Sequence, residues 1–477
     1  MADDGGGSSN LLVIFGITGD LARKMTFRAL YRLEARKLLD CPILGVASDD
    51  MSVEKLVERA RGAINESGEK IDDEVFDRLA GRLSYLHGDV TDSALYEQLA
   101  KRIGSGRRPL YYLEMPPSLF APIVENLAKA GLVDRARVAV EKPFGHDLAS
   151  ARDLNARLRT VLDEDQIMRV DHFLGKRPVV ELEYLRFANQ ALAALWDRHS
   201  VSELHITMAE NFGVEDRGKF YDAVGALRDV VQNHLLQVLA LIAMEPPVGP
   251  GADDLNDKKA EVLRAMPGLD PERCVRGQYR GYTDIAGVQK DSQTETFIAL
   301  QTEIDNWRWA GVPIFLRAGK GLPERVTEVR LFLHRVPRLA FLPEHRPADP
   351  NQIVLRIDPE PGMRLQLSAR VGDSWHDIHL DSSFAEDLGE PEGPYELLFQ
   401  AALTGDHQLF AREDSIEQTW RIVQPLLDNP CEVEEYERGS WGPEAAQSLV
   451  RGHHHWQEPW MPRSTQAGQE GDGSKCS

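Results

Sequence analysis

"VIFGITGDLARK", residues 13–24, decides how this chain folds. An apolar run stops at Gly16, and Gly19 stands just before a segment with helical spacing. Glycine after a strand lets the backbone approach a pyrophosphate, and the helix start that follows offers unpaired N–H groups to it. Thr18 adds a hydroxyl donor. The spacing is G-x-x-G, not the longer G-x-G-x-x-G, so the turn alone equally fits a tight connection with Asp20 as helix cap. Its place after the first strand of a βαβ unit favours the ligand-binding reading.

Outward from the turn, strand-like and helix-like segments alternate. "LLVIFG" (11–16), "CPILGVAS" (41–48), "LSYLHGDV" (83–90), "PLYYLEM" (109–115) and "RVAVEKP" (137–143) read as short buried strands. Helical spacing covers 20–39, 51–64, 93–103, 118–130 and 148–161. This alternation predicts an α/β, Rossmann-like, doubly wound parallel sheet. After about residue 176 the texture changes. "VSELHITMAE" (201–210), "TETFIALQTEI" (294–304), "VTEVRLFLHRV" (326–336), "NQIVLRIDP" (351–359) and "MRLQLSARV" (363–371) are strand-like, and few long helices separate the later ones. That predicts a larger, mainly antiparallel sheet with helices, an α+β domain. The expected organisation is a disordered start over 1–9, a dinucleotide-binding domain over 10–175, a substrate and oligomerisation domain over 176–460 and a flexible tail over 461–477.

The 477 residues suffice for two or three domains, and 42% of them are hydrophobic. A net charge of −21 argues against nucleic acid as a partner but leaves room for a small phosphorylated ligand held by a local cluster of cations. The start carries no secretory pattern, and no apolar run reaches the length of a membrane span. Cys41, Cys274, Cys431 and Cys476 lie far apart, form no C-x-x-C pair and predict no disulfide framework. A reducing cytoplasm fits this pattern, and no membrane partner is expected.

Polar residues gather in several further places. In "GVASDD" (45–50), Asp49 and Asp50 would repel a ribose 2′-phosphate, which favours NAD; they also fit a solvated turn and cap. In "VAVEKPFGHD" (138–147), Pro143 makes Lys142 extended at the carboxyl end of a strand, where ligands of parallel sheets bind. "RVDHFLGKRP" (169–178) concentrates Arg169, Asp171, His172 and Lys176, and the apolar helix "ALRDVVQNHLL" adds Arg228, Asp229 and His234. An Asp beside a His holds one tautomer and stabilises the imidazolium, which makes a base; spacing leaves open whether Asp171 meets His234. "FLRAGKGLPERVTEV" (315–329) sets Arg317, Lys320 and Arg325 around a Gly/Pro loop, either for a phosphate or hydroxyls or as surface charge. "HHH" (453–455) has no partnering Cys or acidic cluster and reads as surface, and no metal is expected.

Five blocks, "GITGDLARK", "EKPFGHDL", "RVDHFLGK", "LRDVVQNHLLQ" and "GVPIFLRAGKGLPER", resemble in that order the signature blocks of the glucose-6-phosphate 1-dehydrogenase family. "LRFANQ", "FGVEDRGKFYD", "REDSIEQTWRIVQPLL" and "GSWGPEAA" extend the resemblance over about residues 10–460. It implies oxidation of glucose 6-phosphate at C1 to a lactone by hydride transfer to NADP, the first oxidative step of the pentose phosphate pathway, by a cytoplasmic homodimer or homotetramer. It implies His234 as general base and Asp171 as its orienting partner. His172 and Lys176 would hold the phosphate. Lys142 would touch both the substrate oxygen and the nicotinamide region. Glu210, Asp229, Lys320 and Arg325 would bind sugar hydroxyls, and Gly16, Thr18, Gly19, Asp20, Leu21, Ala22, Arg23, Ser48 and Phe120 would line the cofactor.

The chain departs from the family at four places. Phe173 stands where the family has tyrosine, Ser48 where it has the 2′-phosphate arginine, and Glu114 where it has a small residue. Val326 stands where some members have a basic residue linked to a second, structural NADP, so that site is not carried over. Use of NAD, or of an unphosphorylated sugar, is therefore weighed beside the family expectation. A catalytically silent dinucleotide or sugar-phosphate sensor is the alternative of another class, and the presence of both His234 and Asp171 argues against it.

Overall fold

A computed structural model describes residues 7–337, 350–372, 374–384, 389 and 392–461. The expected tail beyond 461 and the first six residues lie outside them. Two compact units divide the chain. One runs to Val180 and takes in Pro246–Ala260 and Glu392–Trp420; the other holds Glu181–Glu245, Glu261–Pro391 and the chain from Arg421. The two contiguous blocks expected from the sequence are thus interleaved.

In the first unit, β1 (Leu11–Phe15), β2 (Ile43–Ala47), β3 (Leu83–His87), β4 (Pro109–Leu113), β5 (Arg137–Glu141) and β6 (Ile167–Val170) pair in parallel in the order β6-β5-β4-β1-β2-β3. β1, β2 and β4 are buried along their whole length, as near-continuous apolar runs between two helical layers must be. Leu12, Ile14, Phe27, Leu30, Tyr112, Met168 and Phe399 share one core. β6 is the strand that "RVDHFLGKRP" conceals: Ile167–Val170 are all buried, and the charged residues follow where the strand ends. Ser9, expected in a loose start, is buried, and its amide donates to the Leu403 carbonyl at 2.7 Å.

The second unit is built on nine strands: β7 (Val201–Ala209), β8 (Cys274–Tyr279), β9 (Phe297–Thr302), β10 (Ile314–Gly319), β11 (Val326–Leu333), β12 (Gln352–Asp358), β13 (Gly362–Val371), β14 (Ser374–Ser383) and, after a short β15 (Phe410–Ala411), β16 (Val433–Tyr436). Their order is β14-β13-β12-β11-β7-β10-β9-β8-β16. Most neighbours are antiparallel, as the alternating stretches predict, but β7–β10 and β8–β16 are parallel. β15 belongs to the first sheet, where it pairs with β6 and covers that edge. Two residues give no periodicity to read, which is why the return of the chain to the first unit was not visible in the sequence. The histidine tract, expected as plain surface, packs on the second sheet: His453 Nδ1 lies 3.2 Å from Glu203, and His454 stacks on Phe332 at 4.6 Å.

Candidate active site

In the first sheet the strand order reverses between β1 and β4, and ligands of doubly wound sheets bind at that reversal. The turn after β1 sits there. Gly16 has φ +83°, and a Cβ on it would stand 2.2 Å from the Glu114 carbonyl, so no other residue fits this cradle without displacing backbone. No side chain caps the start of the following helix, Asp20 included, which leaves its amides available to an anion. The turn therefore fits a dinucleotide pyrophosphate.

Around the turn, Thr18 Oγ1 donates to Asp49 at 2.5 Å, while Arg59 donates to the Thr18 carbonyl. Arg59 comes from the helix Val53–Glu66, whose cap is Ser52 rather than either aspartate. Sequence reasoning missed Arg59; only its position about two turns into the helix that follows the second strand could have signalled it. Ser48 is exposed beside Asp49. Arg23 is paired with Glu66 at 2.9 Å. Ala22 and Phe120 have no exposed side-chain surface, so these two expected lining residues face the core.

Behind the carboxyl edge of the sheet lies a buried acid pair. Tyr112 Oη donates to Glu141 at 2.7 Å, and Thr26 Oγ1 donates to Glu114 at 2.5 Å. Burial pushes Glu141 up to about 7 and Glu114 up to about 8, and Glu141 adds to the rise at Glu114. Lys142 follows Glu141 directly, through a cis bond to Pro143. A charge inside the apolar strand "RVAVE" was the available signal for this pair.

The loop after β6 is folded on itself. Buried Asp171 accepts from the Phe173 amide at 2.9 Å, and the Leu174 amide donates to the Asp171 carbonyl at 2.9 Å. Lys176 lies over the Phe173 ring at 3.9 Å, and His172 meets the same ring edge-on at 5.4 Å. Phe173 thus sets Lys176 and His172 by ring contacts, where a phenol would also have supplied a hydroxyl. Gly175 lies against the helix Pro394–Thr404; a Cβ there would stand 2.7 Å from the Pro394 carbonyl. That contact closes the loop tightly enough to bury Asp171 while His172 and Lys176 keep part of their surface.

The second unit assembles the other polar group. β7 and β10 run parallel with Ala209 opposite Gly319, so their carboxyl ends deliver Glu210 and Lys320 side by side. Lys320 is buried, ion-paired with Glu210, 4.0 Å from Asp229 and near the rings of Phe212 and Tyr221. The segment Leu227–Leu235 is wound more widely than an α-helix, with i→i+5 bonding. This winding brings residues five apart toward one face, and Asp229 and His234 are five apart; tighter α-helical turns would separate them. Its first amide, Leu227 N, is held by Glu295 at 2.9 Å. Tyr221 is buried, and its hydroxyl is pushed well up by burial first and then by Asp229. Arg325 is paired with Asp358 at 2.9 Å in a half-exposed position, outside this cluster of ion pairs. Sequence reasoning found Glu210, Asp229, His234 and Lys320 but missed Tyr221 and Glu295, whose roles depend on folding.

A glycine turn at the reversal of a doubly wound sheet defines a dinucleotide-binding oxidoreductase. Family models agree: residues 13–181 match "Glucose-6-phosphate dehydrogenase, NAD binding domain", and residues 183–457 match "Glucose-6-phosphate dehydrogenase, C-terminal domain". The chain is 80% identical over 467 residues to glucose-6-phosphate 1-dehydrogenase 1 of Mycobacterium tuberculosis, covering 98% of this chain and 100% of that one. It is also similar to the crystal structure of glucose-6-phosphate 1-dehydrogenase from Mycobacterium avium, with TM-score 0.91 and 77% identity over 96% of this chain and 100% of that one. A glucose-6-phosphate dehydrogenase in complex with glucose 6-phosphate superposes with TM-score 0.88 at 33% identity, over 96% of this chain and 100% of that one. The chain belongs to the glucose-6-phosphate dehydrogenase family.

Proposed function

We propose that this chain oxidises glucose 6-phosphate at C1 to 6-phosphogluconolactone with NADP, as the first oxidative step of the pentose phosphate pathway in the cytoplasm. The observation that carries the reading is the wide-wound segment Leu227–Leu235, which turns Asp229 and buried His234 toward one face near Lys320. His234 takes the proton of the anomeric hydroxyl, and Asp171 orients the imidazole and stabilises its charged form. His172 and Lys176 hold the phosphate, so binding energy remote from C1 fixes its position. Lys142, Glu210, Asp229, Lys320 and Arg325 hold sugar oxygens. Gly16, Thr18, Gly19, Asp20, Leu21, Arg23, Ser48 and Lys142 would hold the dinucleotide, which when bound supplies a hydride acceptor. No metal enters this scheme.

Asp49 favours a second reading, preference for NAD or use of both cofactors, because an acceptor at the end of β2 suits a free ribose 2′-hydroxyl. Arg59, reaching the same turn from its helix, supports the NADP reading. The test is to mix the protein with glucose 6-phosphate or glucose and with NADP⁺ or NAD⁺, and follow absorbance of the reduced nicotinamide. The largest kcat/KM is expected for glucose 6-phosphate with NADP⁺. A rise with free glucose alone would replace the substrate assignment, and no rise with any pair would leave a sensor. The edge strand β14 exposes Ile378 and Leu380, which supports assembly into a homodimer or homotetramer. Sedimentation as a monomer at micromolar concentration would remove that part.

A further inference from the structure

The four cysteines stand far apart in sequence, yet two of them meet in the second unit. β16 pairs with β8 in parallel, Val433 opposite Arg276. Two residues earlier in the chain stand Cys431, just ahead of β16, and Cys274, the first residue of β8, so the same register continued sets them side by side. Parallel neighbours lie about 4.8 Å apart with side chains on one face, within the Cα separation that a disulfide spans. The two thiols are close enough to shift one another's titration. Cys274 is buried and Cys431 only half-buried. The neighbouring Cys274, with the Arg276 guanidinium, holds the Cys431 thiol below its ordinary range, and the neighbouring Cys431 together with burial pushes Cys274 up. Cys431 is thus the reachable thiol with more thiolate, and Cys274 is a protonated partner in reach of it.

The pair is wired to the sugar-side residues of the same unit. Arg276 Nη1 donates to the Cys431 carbonyl at 2.8 Å, and its Nη2 to Glu295 at 2.8 Å. Glu295 in turn receives the Leu227 amide at the start of the segment that carries Asp229 and His234. We propose that Cys274 and Cys431 form a reversible dithiol–disulfide pair, oxidised by peroxide, whose closure loosens the Leu227–Leu235 segment through Arg276 and Glu295. The Cys431 thiolate attacks one peroxide oxygen, the O–O bond takes two electrons and leaves as hydroxide, and Cys431 becomes a sulfenic acid. Cys274 then attacks that sulfur, the S–O bond breaks, and water leaves with the Cys274 proton. A dithiol reductant reverses the change by exchange.

The full-length protein is treated with hydrogen peroxide, its remaining thiols are alkylated, and a digest is weighed; hydrogen exchange is followed in parallel over residues 225–236. The expected result is a Cys274–Cys431 cross-linked peptide two hydrogens lighter than the dithiol and reversed by dithiothreitol. Exchange at the start of the segment should then rise at least about fivefold, the lower end of ordinary coupling between sites. Cys431→Ser should abolish both responses. Both cysteines still open to alkylation after peroxide would overturn the pair, and a cross-link with unchanged exchange would overturn its coupling to the segment.

Discussion

The glycine turn of the first unit and the polar cluster of the second meet ligands by opposite means. The first presents backbone: a glycine turn with no room for a Cβ, and a helix start with no side-chain cap. The second presents side chains, an ammonium and carboxylates at the ends of two parallel strands and an imidazole on a widened helix. A dinucleotide is largely the same for every enzyme that uses it, so repeating backbone geometry suffices; a sugar needs hydroxyl-by-hydroxyl partners. The difference predicts where substitutions act. Side-chain truncation should be felt most in the second unit, and addition of a single carbon most in the first.

The largest expected effect is in the second unit. His234→Asn keeps the approximate shape and removes the base, so kcat should fall about 10²–10⁴-fold, with the KM for the sugar phosphate within a few-fold. Steady-state kinetics check this, and turnover near the wild-type value would reject the role of His234. Next comes Gly16→Ala. Positive φ alone costs a non-glycine residue roughly 1–2 kcal/mol. The new carbon would also meet the Glu114 carbonyl at 2.2 Å, closer than real contacts. Dinucleotide affinity, followed by fluorescence titration, should weaken about a hundredfold, or about 2.7 kcal/mol. Sugar-phosphate affinity should stay unchanged. If truncation in one unit and carbon addition in the other failed to separate in this way, the contrast would be void.

Much of this contrast was legible in the sequence, for physical reasons. The strand-to-helix alternation of the first unit is local, and "GITGD" carries its turn within five residues. Asp171, His172 and Lys176 lie on one loop, so one quoted stretch held them. Glu210 and Lys320 were found through resemblance, because a parallel pairing between strands a hundred residues apart leaves no local trace. β15, Arg59, Glu295 and the wide winding around His234 were not legible. Each exists only through a partner distant in the chain: β6, Thr18, Arg276 and the sheet. Asp49 shows the limit from the other side, since its charge argues for NAD until Arg59 is seen reaching the same turn. Arg59→Ala should therefore lower NADP⁺ affinity about tenfold, the loss of one charge-assisted bond of roughly 1.5 kcal/mol, while NAD⁺ affinity holds. Equal loss for both cofactors would mean that Arg59 only braces Thr18.

The smallest effect tests the first unit where it does use side chains. Glu114 is partly buried, with one carboxylate oxygen shut off from water, and its carboxyl stands near 4.5 when unfolded and about 8 when folded, burial being the main cause. Thr26 donates to it, and Glu141, itself raised to about 7 and bonded to Tyr112, faces it as a like charge. Between these values the folded state binds a proton that the unfolded state has released. Stability from this group is therefore full below about 4.5 and falls as pH rises toward 8. Glu114→Gln keeps the hydrogen bond from Thr26 and removes the titration. The variant should melt within a degree or two of wild type at pH 5 and a few degrees higher at pH 8.5, with a flatter pH profile between. Its remaining slope would belong to Glu141, whose sign is the same. Parallel melting profiles for the two proteins would show that the Glu114 carboxyl reaches water in the folded protein.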